Sequence, residues 1–445
     1  MLIRGAEVVT MNEGREVLPS ADVLVVGDRI AKVGIVSAAD AAGHEVLEAR
    51  GKTLIPGLIQ THIHLCQTLF RNQADDLALL DWLKQRIWPF EAAHTPESLR
   101  ASADLGIAEL LRGGTTSILD MATVRHTDAV FEAARDAGIR ATIGKCHMDL
   151  DGGQPAPLRE TTRESLAEAR AVADRWHEAE GGRLRYAYAP RFALSCTDAL
   201  LREVGGLARE RGLLVHTHAS ENRDECAIVR DRCGADNIAY LLGLGIDAAR
   251  LCLAHCVWAT DEELDLMARG GVKVLHCPGS NLKLASGIAR VPEMLDRGIC
   301  VSIGADGAPC NNNLSAFQEM RLAALLQKPR LGPRVMPAER VFELATLEGA
   351  RALGLEDRIG RIEVGMLADL ALLDLGRGAA TVPAGEDVYA RIVYSAGASD
   401  VTDVLVGGRP VVRGGRLLTV DEPTLLGERA PRELARLKER MGGQS

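Results

Sequence analysis

Eight short apolar runs alternate along this chain with longer stretches of helical period. The runs cover residues 53–65, 116–122, 140–148, 183–191, 213–220, 251–257, 272–278 and 300–307. A strand that is apolar on both faces must be covered on both faces, which is the condition of a parallel sheet flanked by helices. The stretches at 96–112, 127–137, 164–178, 198–211 and 261–269 repeat apolar residues at helical spacing and supply the crossovers. Gly138, Gly212, Gly270 and Gly298 stand where helices would stop before the next strand. Eight such units predict an α/β fold, a parallel (β/α)8 TIM-like barrel. An open doubly wound sheet is the alternative, but no GxGxxG follows the first run.

Both chain ends read differently. Residues 1–56 carry short strands and a Gly27-Asp28 turn between two apolar runs, a hairpin signal. Residues 366–421 repeat the style, with a Gly407-Gly408 turn. The two pieces most simply form one small β-sandwich domain, with the barrel, 57–365, inserted between them. Residues 422–445 read as a charged C-terminal helix or tail. Aromatics are only 3 % of the chain, so the core must be Ala, Leu, Val and Ile. The net charge of −9 argues against a nucleic-acid surface. No apolar run suits a membrane span or a signal peptide. Ten cysteines scattered between Cys66 and Cys310, with no CxxC pair, read as reduced thiols of a cytoplasmic protein.

The histidines are unevenly placed. His62 and His64 close the first run, His216 and His218 the fifth, and His255 the sixth; His276 lies near the end of the seventh and Asp306 ends the eighth. Alternate residues of a strand share a side, and the active sites of such barrels lie at the C-terminal strand ends. His62, His64, His218 and Asp306 would therefore converge. Three imidazoles and a carboxylate, with room for water, suit Zn²⁺ or a similar divalent ion. A single strand-end histidine is ordinarily structural, and one HxH is a weak signal. The joint occurrence on several strands carries the reading.

The motifs Pro56-Gly57-Leu58-Ile59-Gln60-Thr61-His62-Ile63-His64, His218-Ala219-Ser220-Glu221, Leu253-Ala254-His255-Cys256, His276-Cys277-Pro278-Gly279-Ser280-Asn281-Leu282-Lys283 and Gly304-Ala305-Asp306-Gly307-Ala308 resemble the amidohydrolase superfamily. They are most similar to its aminohydrolases and chlorohydrolases of purines, pyrimidines and s-triazines, over nearly the whole chain. The resemblance implies that His62, His64, His218 and Asp306 are metal ligands. It implies that Glu221 shuttles protons, that His255 orients the attacking water and that Asp306 accepts its proton. His216 and His276 remain structural or supporting. Binuclear relatives need a lysine at the end of strand four, where this chain has Ala187-Tyr188-Ala189-Pro190-Arg191; Lys145 is on strand three. One divalent ion is expected, Zn²⁺ by default, with Fe²⁺, Mn²⁺ or Co²⁺ able to use the same ligands.

Leu80-Asp81-Trp82-Leu83, Trp88-Pro89-Phe90-Glu91 and the stretch from Asp306 through Asn311 to Leu314 resemble deaminases of 5′-deoxyadenosine, methylthioadenosine and S-adenosylhomocysteine. The resemblance makes Glu91, Trp88 and Asn311 candidate substrate contacts. Arg191-Phe192 departs from that pattern and is more similar to guanine deaminase, in which arginine and phenylalanine hold the base. Arg191, Phe192 and Lys145 join the candidates, with Arg159 a weaker one. A purine nucleoside or base is the expected small-molecule partner, and a homo-oligomer, dimer or tetramer, the expected assembly. Deamination of a 5′-modified adenosine leads, guanine deamination is the alternative, and s-triazine hydrolysis stands third. A non-enzymatic scaffold is disfavoured because every ligand position is filled.

Overall fold

The computed structural model describes residues 1–376 and 387–442; 377–386 and 443–445, within the expected terminal segments, lie outside the described residues. The N-terminal part contributes β1 (Leu2–Val9), β2 (Val17–Val26), β3 (Arg29–Gly34), β4 (Val46–Glu48) and β5 (Thr53–Pro56). The barrel follows with β6 (Leu58–Ile63), β7 (Thr115–Met121), β8 (Arg140–Gly144), β9 (Cys146–His147), β10 (Leu184–Tyr186), β11 (Ala189–Pro190), β12 (Val215–Ala219), β13 (Leu251–His255), β14 (Lys273–His276) and β15 (Cys300–Ile303). The C-terminal part adds β16 (Leu370–Leu373), β17 (Val401–Val406), β18 (Arg409–Arg413) and β19 (Arg416–Leu417).

The barrel strands run parallel, in the order β6–β7–β8–β10 and β12–β13–β14–β15, with β9 beside β11. Single bridges join the two halves, Tyr188 to Val215 and Phe192 to His218, and close the ring from Ile63 to Asp306. The third and fourth expected runs, 140–148 and 183–191, are each divided into two short strands. The inner faces fill the barrel with Ile59, Leu119, Ala187, Cys252, Leu275 and Cys300.

Strands from both ends of the chain form one sheet, ordered β19–β18–β17–β16–β5–β1–β2–β3, with β4 beside β1. The expected run 53–65 is therefore two strands serving two sheets. Gly57 makes the division: its N–H donates to Asp369 O at 2.9 Å, and a Cβ there would lie 2.2 Å from Thr116 Oγ1. Both expected turns are two-residue hairpins, since Val26 pairs with Arg29 and Val406 with Arg409.

The crossover helices follow local signals. Thr95 and Ser98 form a capping box ahead of Pro96–Arg112, and Thr197 caps Asp198–Arg211. Gly138, Gly212 and Gly298 stop their helices in the left-handed region. Gly270 does not: the helix Asp261–Gly270 includes it, and Gly271 takes φ 75°. The C-terminal helix Ala430–Gly442 packs on the barrel, burying Leu437 in the cluster that holds Trp82, Leu83 and Trp88. No helix among the described residues is long and apolar enough to cross a membrane, and all ten cysteines are unpaired.

Arg140, at the start of β8, donates to Asp369 at 2.7 and 3.0 Å, joining the barrel to the terminal sheet. Both side chains are buried, and Asp369 also accepts the Gly407 N–H. Removing one partner strands a buried charge, so Asp369→Ala is expected to cost about 3–5 kcal/mol in denaturant unfolding; an unchanged midpoint would contradict this.

His94 is buried beside Phe70, 2.8 Å from Cys66 O and 3.0 Å from Ser98 Oγ. Burial pushes its pKa down from 6.5 to about 4. The unfolded chain then binds this proton first, so the His94 contribution is intact above 6.5 and declines as pH falls toward 4. His94→Gln is expected to make the acid-side loss of stability shallower over that window, as read by thermal unfolding at stepped pH.

Candidate metal centre and active site

Four side chains from three barrel positions meet at the C-terminal end of the barrel. His62 and His64 project together from β6, His218 comes from β12, and Asp306 follows β15; their ligand atoms lie within 4.8 Å of one another. His64 Nδ1 donates to Met121 O at 2.9 Å, and His218 Nδ1 donates to Arg191 O at 2.7 Å. A carbonyl can only accept, so both Nδ1 atoms carry hydrogen and each Nε2 is turned into the cluster. Those Nε2 atoms stand 3.3 Å apart. Asp306 Oδ1 is 3.2 Å from Nε2 of both His62 and His64. His62 Nε2 is buried and has no hydrogen-bond partner. This imidazole–carboxylate donor set fits a divalent ion.

Electrostatics agree with that donor set. Burial pushes His62 down to about 4 and His218 well below the ordinary histidine range. Burial would lower His64 too, but hydrogen bonding to Asp306 raises it. Burial opposes the charge on Asp306, yet His62 and His64 hold it well below the usual carboxylate range.

A ring of partners fixes these groups. His216 Nε2 lies 2.7 Å from His62 Nδ1, beneath the cluster. Ser280 Oγ donates to Asp306 Oδ2 at 2.6 Å. His255 Nδ1 meets Asn281 Oδ1 at 2.8 Å, which leaves its Nε2 facing Glu221 at 3.5 Å and Asp306 at 3.9 Å. The Glu221 N–H donates to Glu225 at 2.8 Å, and Ser286 Oγ donates to Glu221 Oε1 at 3.4 Å. Burial, reinforced by the Asp306 charge, pushes Glu221 well above the usual carboxylate range. His276 is buried, with Nδ1 unpartnered, and is not in the cluster.

A cavity over the cluster is lined by His64, Gln67, Arg191, His218, Glu221 and His255, and roofed by Leu79, Trp82, Leu83 and Phe192. Its free volume is about 30 Å³. Arg191 and Glu91, expected as separate substrate contacts, bind each other at 2.6 and 3.1 Å, and Gln67 Nε2 adds a bond to Glu91 at 2.9 Å. Trp88 lies behind the roof, lining an outer cavity of about 410 Å³ that Phe192 shares. Lys145 is fully buried, and its ammonium is held by Glu160 at 2.8 and 3.0 Å. Asn311 spends its amide on Ala305 O and Glu319, both at 2.8 Å. Arg159 is half exposed, 3.5 Å from Asp151.

Gln67 and Trp82 were not among the expected contacts. Trp82 stands inside a quoted motif, and Gln67 lies one short turn after His64; neither carries a charge that would mark it. Ser280 and Asn281 also lie in a quoted motif, but their roles depend on which atoms they reach.

Residues 53–411 match the model of the Amidohydrolase family, and the chain belongs to that family. Among curated proteins it is 40 % identical to a 5′-deoxyadenosine deaminase of Methanothermobacter thermautotrophicus, with 98 % of each chain covered. It is 39 % identical to a 5-methylthioadenosine/S-adenosylhomocysteine deaminase of Desulforudis audaxviator, covering 98 % of this chain and 99 % of the relative. Among solved structures, a zinc-bound adenosine deaminase from Xanthomonas campestris superposes with a TM-score of 0.91 at 34 % identity, over 98 % of both chains.

His218→Ala is expected to lower bound divalent metal at least tenfold, measured by elemental analysis after dialysis against a chelator. Full metal retention would remove His218 from the ligand set.

Proposed function

We propose that the protein is a metal-dependent hydrolytic deaminase acting on the 6-amino group of a 5′-modified adenosine. The products are the corresponding inosine analogue and ammonia. The observation that carries this reading is Glu221: a buried carboxyl 3.5 Å from His255 Nε2, at the edge of a cavity floored by His64, His218 and Asp306. The named activities of the relatives supply the substrate class.

His62, His64, His218 and Asp306 would hold one divalent ion, taken as Zn²⁺. When bound, such an ion activates water near neutral pH and polarises the reacting centre. Glu221 gives its proton to the purine ring nitrogen beside C6, which makes C6 electrophilic. His255 Nε2, free of other partners, orients the attacking water. Asp306 accepts a proton from that water, and Ser280 keeps the receiving carboxylate in place. Oxygen adds at C6, the C6–N6 bond breaks, and the amino group leaves as ammonia with the protons delivered.

The Arg191–Glu91–Gln67 chain forms the wall that meets the purine edge. Gln67 Oε1 is buried without a partner and can accept from a ring N–H or exocyclic amine. The cavity has room for about one water. A nucleoside therefore requires the roof of Leu79, Trp82 and Leu83 to move outward, opening toward the outer cavity where Trp88 lies. The reading carries a homo-oligomer and a reducing cytoplasmic setting, the latter supported by ten unpaired cysteines.

Ultraviolet assays on 5′-deoxyadenosine, methylthioadenosine, S-adenosylhomocysteine, adenosine and guanine test the reading. Turnover is expected on the 5′-modified adenosines; turnover of guanine alone would overturn it. Glu221→Gln is expected to keep its metal and lose about 10²-fold or more in kcat, and unchanged kcat would remove Glu221 from the proton-transfer role.

A further inference from the structure

A large cavity lies at the opposite end of the barrel from the metal cluster. It has a free volume of about 480 Å³ and opens among the first residues of β10, β14 and β15. The apolar filling of Leu119, Ala187, Cys252 and Leu275 lies inside the barrel between the two ends.

Its walls are cationic. Arg185, Arg250, Lys273 and Arg351 line it together with His177, against a single lining carboxylate, Glu356. This stands in a chain whose net charge is −9. Arg185 reaches Glu178 at 2.9 Å, Arg250 reaches Asp247 at 3.4 Å, and Arg351 reaches Glu348 at 3.1 Å. Lys273 makes no ion pair among the described residues; its ammonium donates to Ala249 O. Register turns three of the lining groups inward. Thr142 pairs with Arg185 and with the interior Leu119, while Lys273 pairs with the interior Cys252 and Cys300.

A second observation is independent of the charge. Thr142 is 4 % exposed and lines the cavity, yet its hydroxyl has no hydrogen bond among the described residues. The side chain is buried as a whole, while its hydroxyl oxygen stays accessible from the cavity. Here the donor and acceptor face the cavity, beside Arg185.

Gly212, Gly271, Gly298 and Gly354 also border the cavity, all at left-handed φ. Gly212 and Gly271 follow directly on helix ends, and Gly298 lies two residues beyond one; the carbonyls of helix ends attract cations. That attraction is not the source of the Lys273 bond, whose acceptor Ala249 O lies in the short turn Ala248–Arg250. It does not account for the inward Arg185 beside an unpartnered hydroxyl, nor for a cavity this size between the charges. Lys273 without an ion pair and three ion-paired arginines, around a space far larger than one phosphate group, match a ligand with two anionic groups on a small polar body.

We infer that the floor of the barrel is a binding site for a small bisphosphorylated molecule, separate from the metal centre. Arg185, Arg250 and Lys273 bind the phosphoryl oxygens, and the Thr142 hydroxyl donates to the ligand. Charge-assisted bonds of this kind dominate anion recognition, and affinity should fall as salt rises.

Isothermal titration calorimetry of the metal-loaded full chain tests this, with fructose 1,6-bisphosphate and inorganic phosphate as probes. One saturable bisphosphate site is expected. Lys273→Gln and Arg250→Gln should each weaken it about tenfold or more, with metal content unchanged by elemental analysis. Thr142→Val should weaken it by a smaller factor. Arg250 is partly exposed, so Arg250→Gln keeps the test open if Lys273→Gln fails to fold. No saturable binding at millimolar bisphosphate would overturn the inference, as would affinity unchanged in both charge variants. Equal affinity for inorganic phosphate would overturn the assignment to a two-phosphate ligand.

Discussion

The seam between β6 and β15 is the contact on which the rest depends. Here the first barrel strand meets the last, and the proposed ligands His62 and Asp306 are brought together. The Asp306 N–H donates to His62 O at 2.9 Å, and Ile63 bridges to Asp306. The approach is so close that a Cβ at Gly304 would lie 2.6 Å from His62 O and 2.7 Å from His62 N. Any side chain at Gly304 would push the two strands apart and spread the donor set. Barrel closure and ligand spacing are thus one constraint.

The site concentrates strain as well as charge. Ser220, His255, Cys256 and Asp306 all have positive φ, between 48° and 72°. Non-glycine residues held in this region cost on the order of 1–3 kcal/mol each and persist only where the surroundings over-determine them. The bonds that over-determine these are visible. Cys256 N–H donates to Ala219 O, Trp258 N–H donates to Ser220 O, and Ser280 anchors Asp306. Each turn swings a side chain off its strand and over the barrel mouth, which plain alternation would not do.

Much of this was legible in the sequence because it depends on periodicity. The eight runs, the helix stops and the pairing of His62 with His64 follow from spacing alone. What was not legible depends on which atoms meet across long separations. Glu91 and Arg191 each look like a group waiting for a ligand, and only their distance shows that they neutralise one another. Lys145 looks like a free cation until Glu160 is found against it. The unbroken apolar run 53–65 gives no sign that Gly57 hands the chain from one sheet to another. Gly270 and Gly271 are indistinguishable as helix stops by residue type, and the left-handed geometry falls on the second.

The terminal sheet has a consequence for the order of events during synthesis. β5 lies between β1 and β16, and β16 emerges from the ribosome only after every barrel strand. The N-terminal strands must therefore wait with one edge open while the barrel is made. The donor set is likewise incomplete until Asp306 emerges. Long-range pairings of this kind are slow to form and leave strand edges exposed meanwhile. The same topology that welds the early and late strands together leaves the β5 edge without its partner until β16 has emerged.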